Sequence, residues 1–189
     1  MAGRGILDRH SDLELVRLCN EGGSRDSARA FEALYARHKD YVIRVAFRFS
    51  RDPDIALDVL QDTFTYLLRK FPPTGDGLVL TAQLTSLLYP VAKNSAISHL
   101  RKVDRLSSSG VDPDELAADP PGDPGDLLRI VRDLPEERQE VIILRFVDDM
   151  SLADIAAALD IPLGTAKSRL HLAIRQLRDV PEIKNLLSP

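Results

Sequence analysis

The segment from Ser151 to Arg178, SLADIAAALDIPLGTAKSRLHLAIRQLR, constrains this chain more than any other stretch. It reads as two short helices joined by a tight turn. Ser151 followed by Asp154 is a capping-box opening, and Leu152, Ile155, Ala156 and Leu159 repeat behind it at helical spacing. Asp160 falls where the chain must turn, at a left-handed position that Asp tolerates better than most residues. Pro162 can open the next helix but cannot continue the last one. At about 100° per residue, Leu163, Ala166, Leu170, Ile174 and Leu177 gather on one face of the second helix. Thr165, Ser168, Leu172 and Arg175 point the opposite way, flanked by Lys167, Arg169, His171 and Gln176. A short helix packed across a second one with an outward basic, hydroxyl-bearing face fits a helix-turn-helix whose second helix enters the major groove. The alternative is a plain helical hairpin with a solvated charged face.

A net charge of −4 looks wrong for a nucleic-acid binder until the charge is mapped along the chain. Lys167, Arg169, Arg175 and Arg178 have no acidic residue among them, and Arg29, Arg37, Lys39, Arg44, Arg48 and Arg51 outweigh Glu32 and Asp40. Between Arg105 and Arg129 the balance inverts, with Asp112, Asp114, Glu115, Asp119, Asp123 and Asp126 and no Lys or Arg. The average therefore hides two basic modules separated by an acidic connector. That connector, Leu106 to Asp126, is rich in Ser, Gly, Pro and Asp and reads as a flexible linker; its alternative is a segment that orders on a partner's surface. The expected organisation is all-α: residues 1–105 and 127–189 form two small helical domains, the second carrying the helix-turn-helix.

The first domain shows only helical patterns. Ser11 caps a helix with Glu14 as its box partner, and Gly22 and Gly23 end it. A longer helix from about Asp26 to Phe49 offers Phe31, Leu34, Tyr35, Val42, Val45, Ala46 and Phe49 to the core. Asp52-Pro53 starts another, reaching about Phe71, and a last one runs from near Thr81 to Val103 with Pro90 expected to kink it. In the second domain Leu134-Pro135, followed by Glu136 and Glu137, opens a helix carrying Val141 to Phe146.

The helix after Pro53 carries two apolar stripes. Ala56, Leu60, Thr63, Leu67 and Phe71 form one; Leu57, Phe64 and Leu68 form another, punctuated by Asp58, Gln61 and Asp62. A helix buried on both sides would explain the pattern. The embedded acidic and amide groups favour a protein partner instead, because they are costly to bury unpaired.

Other functions find little support. Cys19 is the only cysteine and lies in an amphipathic helix pattern, so a small buried hydrophobe is its expected role. His10, His38, His99 and His171 are scattered without metal-ligand spacing, and His38 and His99 are expected at the surface or in a groove. There is no phosphate-cradling Gly-rich loop, nucleophile elbow or paired carboxylate in an apolar setting, so neither an enzyme nor a bound cofactor is expected. Apolar runs such as Val141 to Leu144 are too short to cross a bilayer, and MAGRGILDRH lacks a signal-peptide core. A cytoplasmic location is expected.

Together these pieces resemble a bacterial RNA polymerase sigma factor of the extracytoplasmic-function (ECF) group. The resemblance is strongest in LPEERQEVIILRFVDDMSLADIAAALDIPLGTAKSRLHLAIRQLR, and clear in AFEALYARH, DVLQDTFTYLLRKF and VAKNSAISHLRK. It implies a factor that loads core RNA polymerase onto promoters. Asp58, Gln61, Asp62, Phe64 and Leu68 would then grip the clamp helices of the largest subunit, with a second contact to the flap. Asn94, His99, Arg101 and Lys102 would face the melted minus-ten DNA. Thr165, Lys167, Ser168, Arg169, His171, Leu172 and Arg175 would face the minus-thirty-five element. Promoter DNA, core polymerase and an anti-sigma factor are the implied partners, without membrane insertion. The chain departs from the family pattern at Leu87, where a Trp is usual, and at Pro90 and Ser98; Leu172 and Ile174 stand where Arg is common. A two-domain DNA-binding regulator that does not load polymerase is the rival reading. A sigma-like protein acting only through protein contacts is a third.

Overall fold

The computed structural model describes residues 9–22, 25–106 and 130–178, which form helices and no strand. The chain divides into two units, Met1–Pro121 and Gly122–Pro189, with the division inside the expected connector. Beyond its first residue, the connector Leu106 to Asp126 lies outside the described residues.

The first unit holds α1 (Asp12–Asn20), α2 (Arg25–Phe49), α3 (Pro53–Leu68) and α4 (Leu84–Leu106). Ser11 and Glu14 form the expected capping box on α1. Gly22 (φ +57) lies just past its end, and a Cβ there would stand 2.9 Å from the Pro72 side chain. Asp52 caps α3 by accepting from the Asp54 amide. Helix α2 is the spine, packed by α1, α3 and α4, which also packs against α3. Leu15, Val16, Leu34, Val42, Val45, Ala46, Leu67, Leu84, Leu88 and Ala92 fill the space between them. Cys19 is buried among them, and burial pushes its thiol up to about 11.

Two boundaries differ from the spacing. Helix α3 stops at Leu68 because Lys70 and Phe71 donate to the carbonyls three residues back, tightening the last turn. The Phe71 ring stays in the core all the same. Helix α4 starts at Leu84, not Thr81, because the preceding chain is held elsewhere. The Asn20 side chain donates to the Leu78 carbonyl at 2.9 Å and accepts from the Leu78 amide at 2.8 Å. Pro90 lies inside α4, where it removes one rung of the backbone ladder.

His38 is buried, with its Nε2 2.8 Å from Asp12, and Arg37 binds the other carboxylate oxygen at 2.6 Å. Burial raises the Asp12 carboxyl, but the bonds and charges of His38 and Arg37 outweigh it and hold the group below its ordinary 3.8. A carboxylate depressed in this way adds stability above its unfolded pKa and loses it as pH falls through the folded one. Asp12→Asn is therefore expected to cost about 1–3 kcal/mol at neutral pH. In urea titrations the gap to the parent should close as the pH falls below 3.8; a gap that persists there would assign the effect to packing.

The second unit holds α5 (Glu136–Phe146), α6 (Leu152–Ala158) and α7 (Leu163–Leu177). Val131, Leu134, Ile142, Ala173 and Leu177 form one core cluster, with Leu170 and Ile174 against it. Leu163, expected on that face, is 42% exposed, and the unanticipated Ala173 is fully buried. The stripe runs through small residues at Ala166 and Ala173, which allow close helix approach, and the opening turn of α7 extends past it.

Candidate functional site

On α3 the first stripe packs inward as expected: Ala56, Leu60, Thr63 and Leu67 are all buried. The second stripe splits. Leu57 and Leu68 remain 57% and 51% exposed, while Phe64 is only 5% exposed. Phe64 was expected to grip a partner, and the structure places it in the domain. Its ring stands edge-on to Phe31 at 6.3 Å and to Tyr35 at 4.7 Å. Tyr35, expected in the core, lies instead at the rim, 39% exposed, with its ring against Phe64. These residues, with Leu60, Gln61 and Thr65, line an open groove of about 400 Å³. Phe64 is its floor rather than a protruding anchor. Leu57, Leu68 and Gln61 are its exposed edges.

Asp58 and Asp62 are exposed beside this groove, yet both carboxylates meet α4. Asp62 accepts from Ser95 at 2.7 Å and lies 3.0 Å from His99 Nε2; Asp58 lies 3.6 Å from His99 Nδ1. This corrects the placement of His99. On the helical wheel Asn94 and Arg101 share one exposed face of α4, whereas His99 sits well round the helix against α3 and the exposed Lys102 lies between them, near enough to Asp62 for its charge to act there. The reason is the facing helix, which sets the Asp62 carboxylate within hydrogen-bond reach of the ring and Asp58 close to its other nitrogen. Ser95 was missed altogether. The signal was available in the matched four-residue spacings Asp58/Asp62 and Ser95/His99.

In the second unit Ser151 and Asp154 form the expected capping box on α6. Asp160 has φ 51, so the left-handed position falls where the sequence put it. The Ile161 amide donates to the Ala156 carbonyl and the Asp160 amide to that of Ala157, a Schellman closure made with Asp in place of Gly. Asp149 is also left-handed, at φ 51, and was not anticipated. Across the turn, α7 exposes Lys167, Ser168, His171, Leu172 and Arg175, with Thr165 half-buried at their edge. Arg169 does not join them. Its Nη2 lies 3.0 Å from Glu137 of α5, and Gln176 accepts from Arg138 at 2.6 Å. Arg169 is half-buried at the border of the packed face, whereas Gln176 stays exposed.

The Sigma-70 region 2 family model matches residues 34–106 and the Sigma-70 region 4 model residues 125–177. The ECF RNA polymerase sigma factor SigL of Mycobacterium tuberculosis is 32% identical over 167 residues, covering 83% of this chain and 92% of that protein. The chain belongs to the ECF RNA polymerase sigma factors. A second relative, the ECF sigma factor SigE of Mycolicibacterium smegmatis, is 27% identical over 83% of this chain, which spans 63% of its length. The sigma factor RpoE of Bartonella quintana, solved with the anti-sigma factor NepR, superposes with a TM-score of 0.60 at 26% identity, covering 81% of this chain and 97% of that one.

Sigma factors direct core polymerase to promoters, and membership decides for the initiation factor over a regulator that does not load polymerase. In this sigma factor α4 and the groove, apart from Phe31, fall within the region-two match, and the helix-turn-helix within the region-four match. Leu87 and Pro90 stand on α4, and Leu172 is 38% exposed on the outward face of α7. Among the described residues, no helix is long and apolar enough to cross a membrane.

Proposed function

We propose that this factor grips the polymerase clamp helices with the groove edge Leu57, Asp58, Gln61, Asp62 and Leu68, over the floor made by Phe64. The observation that carries the assignment is the pair of exposed leucines beside carboxylates on a helix within the region-two match. Exposed apolar groups next to charge favour a partner helix of mixed character. Asn94, Arg101 and Lys102 would meet the separated minus-ten strand, their cations on phosphates. Lys167, Ser168, His171, Leu172 and Arg175, with Thr165, would enter the major groove at the minus-thirty-five element. Residues 1–105 would form the first of these modules and 127–189 the second, joined by the acidic connector 106–126. The factor would work in the cytoplasm and contribute recognition and strand separation, the polymerisation chemistry being the enzyme's. An anti-sigma factor is a partner by analogy with the RpoE–NepR complex. Addition of the purified chain to core polymerase is expected to give promoter-specific run-off transcripts; absence of both assembly and transcripts would sink the assignment.

The outward face of α7 separates two kinds of contact. Arg175 lies at the centre of the face, directly opposite Ala166 and Leu177 on the wheel, where it can reach guanine edges. Arg175→Ala in the holoenzyme is expected to cost about 1–3 kcal/mol on the selected site and much less on unrelated DNA. Equal losses on both would remove the base-reading role. Leu172→Arg is expected to steepen the salt dependence by roughly one phosphate contact; an unchanged slope would mean that this face is not against DNA.

A further inference from the structure

The register of α3 against α4 sets two pairs of polar residues face to face. Asp58 and Asp62 stand about one turn apart on α3, and Ser95 and His99 about one turn apart on α4. A single oxygen, Asp62 Oδ2, receives the Ser95 hydroxyl at 2.7 Å and lies 3.0 Å from His99 Nε2. The other ring nitrogen, Nδ1, lies 3.6 Å from Asp58. The Ser95 bond, opposed by partial burial and helped by His99 and Lys102, holds the Asp62 carboxyl below its usual range. The Asp58 and Asp62 side chains are 59% and 55% exposed, so the network lies on the surface rather than in the core. Surface pairs add little to stability. What this one can do is fix geometry. Hydrogen bonds to a carboxylate are directional, and two of them on one oxygen restrain both the rotation and the slide of α4.

The restrained helix is the one whose exposed face carries Asn94 and Arg101. Ser95 and His99 lie roughly 100–140° round it from that face, at ~100° per residue. They touch α3 while Asn94 and Arg101 point elsewhere; Lys102 lies on the Ser95 side of the helix, where its charge acts on Asp62. Resting on the assignment of α4 to the minus-ten strand, we propose that Ser95 and His99 are positioning residues. They latch α4 onto the Asp58–Asp62 edge of α3 and set the angle at which Asn94, Arg101 and Lys102 meet the separating strand. Strand capture is thereby referenced to the same helix that docks polymerase, through side chains that need touch neither partner.

The test uses holoenzymes assembled with Ser95→Ala, His99→Gln and the hydroxyl-keeping Ser95→Thr, at a promoter selected by the parent holoenzyme. Opening is followed by permanganate reactivity of unpaired thymines, on duplex DNA and on the same sequence with a pre-opened bubble. Ser95→Ala and His99→Gln are expected to slow duplex opening about tenfold, the loss of one charge-assisted hydrogen bond at the transition state. Assembly with core and binding to the bubble should match the parent, and Ser95→Thr should restore the rate. Parent-rate opening in both variants overturns the latch. So does an equal loss on duplex and bubble, which would mean direct DNA contact by His99 or a general folding defect. Weakened core assembly in either variant overturns it as well. Normal assembly by Leu57→Ser would sink the groove assignment alone, leaving the duplex-to-bubble comparison intact.

Discussion

Phe64→Ala is expected to destabilise the N-terminal unit by about 3–5 kcal/mol, the range for emptying the site of a buried aromatic ring. Phe64 is 5% exposed, and the rings of Phe31 and Tyr35 stand edge-on against it. Removing it takes away the groove floor and leaves a void that those two rings can close only by leaving their own contacts. The chain has four tyrosines and no tryptophan, and Tyr35, Tyr41, Tyr66 and Tyr89 all belong to the first unit. Tyrosine fluorescence in a urea titration therefore follows that unit by itself, which matters because a two-unit chain need not unfold in one step. Should Phe64→Ala melt with the parent and lose only polymerase binding, the ring is an interface anchor and its burial in the free chain is incidental.

Leu57→Ser combined with Leu68→Ser is expected to do the opposite. Both side chains are more than half exposed, so their loss removes little packing. They stand about three turns apart on the same face of α3, at either end of the groove. If that face docks polymerase, the pair should weaken assembly by about 2–4 kcal/mol, roughly 30- to 1000-fold, with an unchanged tyrosine melting curve. Fluorescence anisotropy of the labelled factor against core polymerase measures it. Parent affinity in the double variant would show that the two leucines are surface residues without a partner on this enzyme. The contrast with Phe64 separates the groove's floor from its rim.

These two outcomes divide a stripe that looked uniform in the sequence. Leu57, Phe64 and Leu68 share helical spacing, and periodicity says only that they share a side of α3. Which of them is covered depends on how far α2 extends over that side. Phe31 and Tyr35 reach Phe64 and leave Leu57 and Leu68 largely open. His99 and Arg169 moved for the same reason. His99 was placed by the family resemblance and Arg169 by its position on its own helix, and each is held by a carboxylate on a neighbouring one: Asp62 with Asp58, and Glu137. The Asp58/Asp62 and Ser95/His99 spacings were visible, but nothing local indicated that the two pairs lay opposite each other.

What the sequence determined by itself was everything governed by interactions a few residues long. The capping boxes at Ser11 and Ser151, the left-handed Asp160, the helix opening after Pro162 and the left-handed Gly22 just past the end of α1 all formed where local chemistry put them. The reason is that a cap or a turn is satisfied by backbone groups within about one helical turn, so its partners are already written beside it. The tertiary structure alone decided which side chains on an amphipathic face are free to meet a partner. That depends on the register and reach of a second helix far away in the chain, and no spacing within the first helix encodes it.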